Sequence, residues 1–171
     1  MRHRRLIIFL CVLAAIVTIL SPVALFVLQP VQMSGMSMRP TLDVGDRLFI
    51  LRFPRTRARG DLVVYGYPRD QTRSFLHRIV GLPGERLRID SAGRVYINGY
   101  PLPEPYVEPE NNASPREIAE VVIPQDLYFV IGDNRDLSND SRFFGPIPGR
   151  LIRGKVVARY WPPTRIGRVS D

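Results

Sequence analysis

The sequence predicts an all-β domain behind one N-terminal transmembrane helix. Three observations predict it. Residues 6–29 form an apolar run of 24 residues without a charge. From residue 31 onward helical periodicity is absent. The remaining chain is divided into short β-branched and aromatic runs punctuated by Gly, Pro and Asp.

About 20 helical residues cross a hydrocarbon core of roughly 30 Å, so the run is long enough to span. It is apolar on every face, which does not suit a soluble core. It ends in Phe26-Val27-Leu28-Gln29, without the small-x-small site of a cleaved leader, so it reads as an uncleaved anchor. Pro22 bends such a helix rather than ending it. Arg2, Arg4 and Arg5 precede the run and hold the N-terminus on the cytoplasmic side. The expected organisation is therefore a basic tail (1–5), an anchor (6–29) and an extracytoplasmic domain (30–171).

Candidate strands follow in order: 46–53, 61–67, 74–81, 85–90, 94–99, 126–133 and 154–161. The pair 85–90 and 94–99 flanks Ser91-Ala92-Gly93, a three-residue connection that suits a hairpin. Residues 100–117 hold five prolines and no period, and read as an extended surface excursion.

A length of 171 residues suits a short special segment plus one domain of roughly 140 residues. The single cysteine, Cys11, excludes an intrachain disulfide framework and a thiolate metal site. The net charge of +8 rests on 23 arginines and one lysine, Lys155. No basic helix or aromatic–basic interleaving favours nucleic acid as a partner.

Three stretches carry candidate chemistry. In "SGMSMRPTL" (34–42), Ser37 lies eight residues past the apolar run, in a segment stiffened by Pro40. A serine becomes a nucleophile only beside a base. The alternative is a solvated linker. In "SFLHRIVG", alternation places Phe75, His77 and Ile79 on one face. His77 is then either a satisfied core residue or the missing base, since a neutral imidazole accepts a proton near pH 7. "GDNRDLSNDSR" (132–142) holds Asp133, Asp136 and Asp140 beside two arginines. It reads as a calcium loop or as a rigid loop that orients a catalytic group. The terminal bidentate Glu of a calcium loop is absent.

Together and in this order, the three stretches resemble the nucleophile box, the general-base box and the third box of bacterial type I signal peptidases. "GKVVARYWP" is similar to that family's closing strand, and the anchor is in the family's place. The resemblance implies a fold of coiled antiparallel sheets. It also implies a membrane-bound serine endopeptidase on the outer face of the bacterial cytoplasmic membrane, single-pass, without cofactor or metal. Its partners would be secretory preproteins with small-x-small sites, the lipid bilayer and the secretion translocon. It implies Ser37 as nucleophile and as a backbone oxyanion donor, with Ser138 and Arg142 in support. Met36, Met38 and Pro40 would flank substrate. Relatives with a hydroxyl two residues before the nucleophile are unlike this chain, which has Gly35 there.

One departure stands out. The bacterial family usually has lysine where this chain has His77; the archaeal and endoplasmic-reticulum branches use histidine. Neutralising a lysine takes roughly 4–5 kcal/mol of selective burial, whereas histidine needs almost none, so the apolar cage is free to relax. Histidine does need its second ring nitrogen oriented, and a carboxylate is the usual partner. Asp140 is the expected orienter and Asp133 the alternative. A rate profile rising at about pH 6–7 is expected. The competing reading is a catalytically impaired or specialised relative, serving one client such as a pilin or conjugation protein, or a membrane-anchored assembly factor.

Overall fold

The computed structural model describes residues 9, 10, 14, 18, 27–52, 54 and 56–169. The basic tail and nearly all of the expected anchor lie outside the described residues. Among those described, no helix is long and apolar enough to cross a membrane.

Among the described residues eleven strands form two antiparallel sheets. The larger takes β1 (Leu28–Gln32), β2 (Arg47–Arg52), β3 (Leu62–Tyr67), β4 (Asp70–Gly81), β9 (Leu127–Ile131), β10 (Ile147–Pro148) and β11 (Ile152–Trp161). Its order is β1-β2-β11-β3-β4-β9-β10. The smaller takes β5 (Arg86–Ile89), β6 (Val95–Ile97), β7 (Tyr100–Pro101) and β8 (Ile118–Val122), in the order β7-β6-β5-β8.

All seven expected strands are present, and four short ones were not expected. β1 begins at Leu28, inside the charge-free run, and pairs with β2 from Leu28↔Leu51 to Gln32↔Arg47. Its Pro30 is tolerated because β1 lies at a sheet edge. β8 follows the proline-rich excursion and closes the edge of the small sheet.

Alternation along the strands sorts the core. Val64 and Leu76 join Met33, Met38, Leu42 and Ile50 in one buried cluster. Val63, Tyr65, Ile79 and Val130 form a second cluster, with Phe75 packed against it. A third fills the junction of the sheets, with Val80, Leu87, Ile123 and Phe129. Strands β3 and β4 thus supply both faces of a two-sided core, and His77 lies on the Val63–Ile79 face, as its spacing requires.

Candidate active site

The register of β3 with β4 places His77. Val63 lies opposite His77, so Tyr65, two residues on, shares its face. The Tyr65 hydroxyl is 2.8 Å from His77 Nδ1. The loop after β9 supplies the other side. Ser138 Oγ lies 3.2 Å from His77 Nε2 and donates to Asp140 Oδ2 at 2.6 Å. Both ring nitrogens therefore have a hydroxyl partner, and neither has a carboxylate. That corrects the expected direct Asp–His contact.

Asp140 is fully buried and caps α1 (Ser141–Phe144). It accepts five hydrogen bonds: from the Arg142 backbone N–H, from Arg142 Nε and a terminal guanidinium nitrogen, from Ser138 and from the Gly132 N–H. Burial opposes its charge. The Arg142 hydrogen bonds and charge, His77 and Ser138 outweigh it and hold the carboxyl below its usual range.

Asp133 is not an alternative orienter. Arg78 grips it through two parallel hydrogen bonds of 2.9 and 2.8 Å, and Thr41 adds a third at 2.5 Å. Asp136 accepts from the backbone N–H groups of Ala113 and Ser114. The three aspartates thus diverge to three partners. Among the described residues no group of three His, Cys, Asp or Glu side chains converges on a point.

Ser37 and His77 line one cleft of about 650 Å³, with Ser34, Gly35 and Met36 on the same wall. The Ser37 carbonyl accepts from the Asn134 N–H at 3.0 Å, tying the Ser37 segment to the Asp133 loop. Its hydroxyl makes no hydrogen bond among the described residues. A Cβ at Gly132 would collide with the Ser138 side chain and sit 2.5 Å from the Ser37 carbonyl oxygen. Glycine there lets the two segments close together. Of the expected substrate contacts, only Met36 meets the cleft. Met38 is fully buried in the core, and Pro40 is exposed outside the cleft lining.

The apolar cage around His77 has not relaxed. His77 is 3 % exposed, with the Tyr65 and Phe75 rings 5.8 and 5.9 Å away. Burial pushes its pKa down to about 4; the Asp140 charge pulls upward and Arg142 adds to the fall. This revises the expected titration near pH 6–7 downward, because desolvation acts on imidazolium as it does on ammonium. Burial, and then the Asp140 charge, push the Tyr65 phenol far up, so it stays neutral.

Sequence reasoning missed Tyr65, Arg78 and Thr41. Tyr65 was legible in principle as the diagonal cross-strand neighbour of His77, once "DLVVYGY" and "SFLHRIVG" are paired.

Ser37 and the buried His77 imidazole thus line one cleft carried by antiparallel sheets, with a hydroxyl at each ring nitrogen. The family described as Signal peptidase, peptidase S26 matches residues 3–161, and the chain belongs to it. A probable signal peptidase I-2 of Synechocystis is 38 % identical over 156 residues, covering 85 % of this chain and 69 % of that protein. Signal peptidase I of Leptolyngbya laminosa is 37 % identical, covering 78 % of this chain and 69 % of the relative. A crystal structure of a signal peptidase I from Enterococcus faecalis superposes with a TM-score of 0.51 at 29 % identity, covering 59 % of this chain and 97 % of that one. The chain is thus a serine-type signal peptidase I, and its substrates are preproteins.

Proposed function

We propose that this peptidase removes signal peptides by a Ser37–His77 acyl-enzyme mechanism, with Tyr65 in place of an orienting carboxylate. The observation that carries the reading is the buried imidazole, held at both nitrogens and sharing a cleft with Ser37.

Proton counting narrows the arrangement. The one Ser138 proton goes to Asp140, so Ser138 meets Nε2 as an acceptor only. At rest Nε2–H donates to Ser138 and the Tyr65 hydroxyl donates to Nδ1; in the working tautomer the proton moves to Nδ1, which donates to Tyr65, and the Nε2 lone pair turns from Ser138 to the Ser37 hydroxyl. Ser37 Oγ attacks the scissile carbonyl as Nε2 takes its proton. Nε2–H then protonates the leaving amine, and the freed imidazole activates the deacylating water. While Nε2 carries the proton, it donates to Ser138, whose own proton rests on the Asp140 carboxylate. The negative charge of Asp140 therefore reaches the imidazolium through one hydroxyl. The Ser37 N–H serves the oxyanion, and Met36 flanks the substrate.

The part of the charge-free run before β1, residues 6–27, anchors the enzyme in the bacterial cytoplasmic membrane as a single pass, since Leu28 and Gln29 already pair with β2. Tail 1–5 is cytoplasmic, and the domain, which begins with β1 at Leu28, lies on the outer face, near the bilayer and the translocon. Its clients carry small-x-small sites.

The test uses the purified full chain and a preprotein with an Ala-x-Ala site. Ser37→Ala and His77→Ala abolish cleavage, and His77→Lys restores part of it with an alkaline-shifted profile. Unchanged processing by Ser37→Ala would sink the assignment.

A further inference from the structure

A second cleft, of about 520 Å³, opens between the end of β2, the loop after it and the start of β11. Arg52, Arg57, Arg150 and Arg153 line it, and no acidic residue does. Among the described residues none of Arg57, Arg150 and Arg153 lies within ion-pair distance of a carboxylate. Arg153 is braced instead by Ser74 Oγ and the Gln71 carbonyl. The Arg57 guanidinium lies over the Tyr128 ring at 5.7 Å, and its Nε is buried without a hydrogen-bond partner. Buried N–H groups are normally satisfied, and the guanidinium groups of Arg57, Arg150 and Arg153 repel in one cleft unless an anion joins them.

The cleft's position says which anion. Gln29 lines it, and Leu28 pairs with Leu51, so the end of the charge-free run lies beside Arg52. If that run spans the bilayer, as proposed above, the cleft sits at the depth of the headgroups. The strand can climb only about 3.3 Å per residue from the membrane edge.

We propose that this cleft binds the phosphodiester anion of a phospholipid headgroup. Guanidinium forks match the two non-bridging oxygens of such a group, and Arg is the residue suited to that recognition. Gln29 and Arg153 also line the Ser37 cleft, so a seated headgroup fixes the height of the scissile bond above the bilayer. This inference rests on the anchor reading.

The experiment places the full chain in nanodiscs of phosphatidylcholine with or without phosphatidylglycerol. Wild type is compared with Arg57→Gln/Arg150→Gln and with a charge-matched control, Arg86→Gln/Arg88→Gln on β5. Native mass spectrometry reads retained lipid, and circular dichroism checks folding. Wild type and control retain phosphatidylglycerol, and the Arg57/Arg150 variant retains about tenfold less, a loss of one bidentate charged contact. Equal retention overturns the proposal. So does a variant that loses only affinity for preproteins with acidic early mature residues, which would make the cleft a substrate subsite. Inorganic phosphate shielding Arg57 from phenylglyoxal as well as phosphatidylglycerol does would overturn the lipid assignment. Flotation on pure phosphatidylcholine vesicles tests the anchor separately, because no anionic headgroup is present there.

Discussion

Two buried aspartate–arginine pairs leave the same loop and do different work. Asp133 with Arg78 and Asp140 with Arg142 are both bidentate and nearly inaccessible to solvent. What separates them is the hydroxyl each carboxylate accepts from. Asp133 accepts from Thr41, which leads back to the nucleophile segment, and Tyr106 covers the Arg78 guanidinium at 3.8 Å. Asp140 accepts from Ser138, which leads to the imidazole. The chemistry of the ion pair is shared; the next hydroxyl leads one pair to the Ser37 segment and the other to the His77 imidazole, where the proposed mechanism uses it.

Breaking the pairs tests this most severely. Asp133→Asn and Asp140→Asn each leave a buried arginine uncompensated and should cost about 3–5 kcal/mol in urea unfolding. Apolar replacement of both partners avoids that penalty. Arg78→Met/Asp133→Leu should fold and cleave near the wild-type rate, whereas Arg142→Met/Asp140→Leu should fold with kcat reduced about a hundredfold. Equal rates for the two doubles would erase the distinction.

Removing the hydroxyls sharpens it. Ser138→Ala and Tyr65→Phe should each lower kcat about ten- to a hundredfold with little change in KM. In nitrogen-15 spectra, Tyr65→Phe should shift the His77 tautomer toward Nε2–H, and the signal is assignable because the chain has only two histidines.

Acid should then weaken the relay and the fold together. His77 is depressed from its ordinary 6.5 to about 4, so below pH 6.5 the unfolded chain takes a proton that the folded chain refuses. Stability should fall by about 2–3 kcal/mol between roughly pH 6.5 and 4.5, and His77→Gln should lose less over that window. Asp140, also depressed, adds a loss of the same sign at lower pH. The acid limb of kcat/KM should sit well below 6.5.

The smallest effect concerns neither pair. A Cβ at Gly35 meets nothing within 4 Å, so Gly35→Ser fits and offers the oxyanion a hydroxyl. Cleavage should rise, up to about tenfold.

The strand runs were legible because alternation and Gly/Pro punctuation are local signals. β1 was not, since Leu28 and Val31 continue the hydropathy of the apolar run and its pairing with β2 is a tertiary fact. That Ser37 and His77 face one cleft was legible from the order of their two stretches. The partner of His77 was not: the loop offers three aspartates within eight positions, and only burial and Arg78 decide which carboxylate is spoken for. Met38 misled for a related reason. Neighbours of a nucleophile alternate between cleft and core, and Met38 took the core side.

Gly132 has a mechanical consequence. It works as a gauge block: the turn that carries Ser37 and the loop that carries Ser138 are set against each other with no slack beyond one hydrogen atom. Displacing a reacting group by about 1 Å can cost a hundredfold in rate. The tolerance of the whole machine is therefore set at a position that touches neither substrate nor proton, and a single methyl group there would jam it.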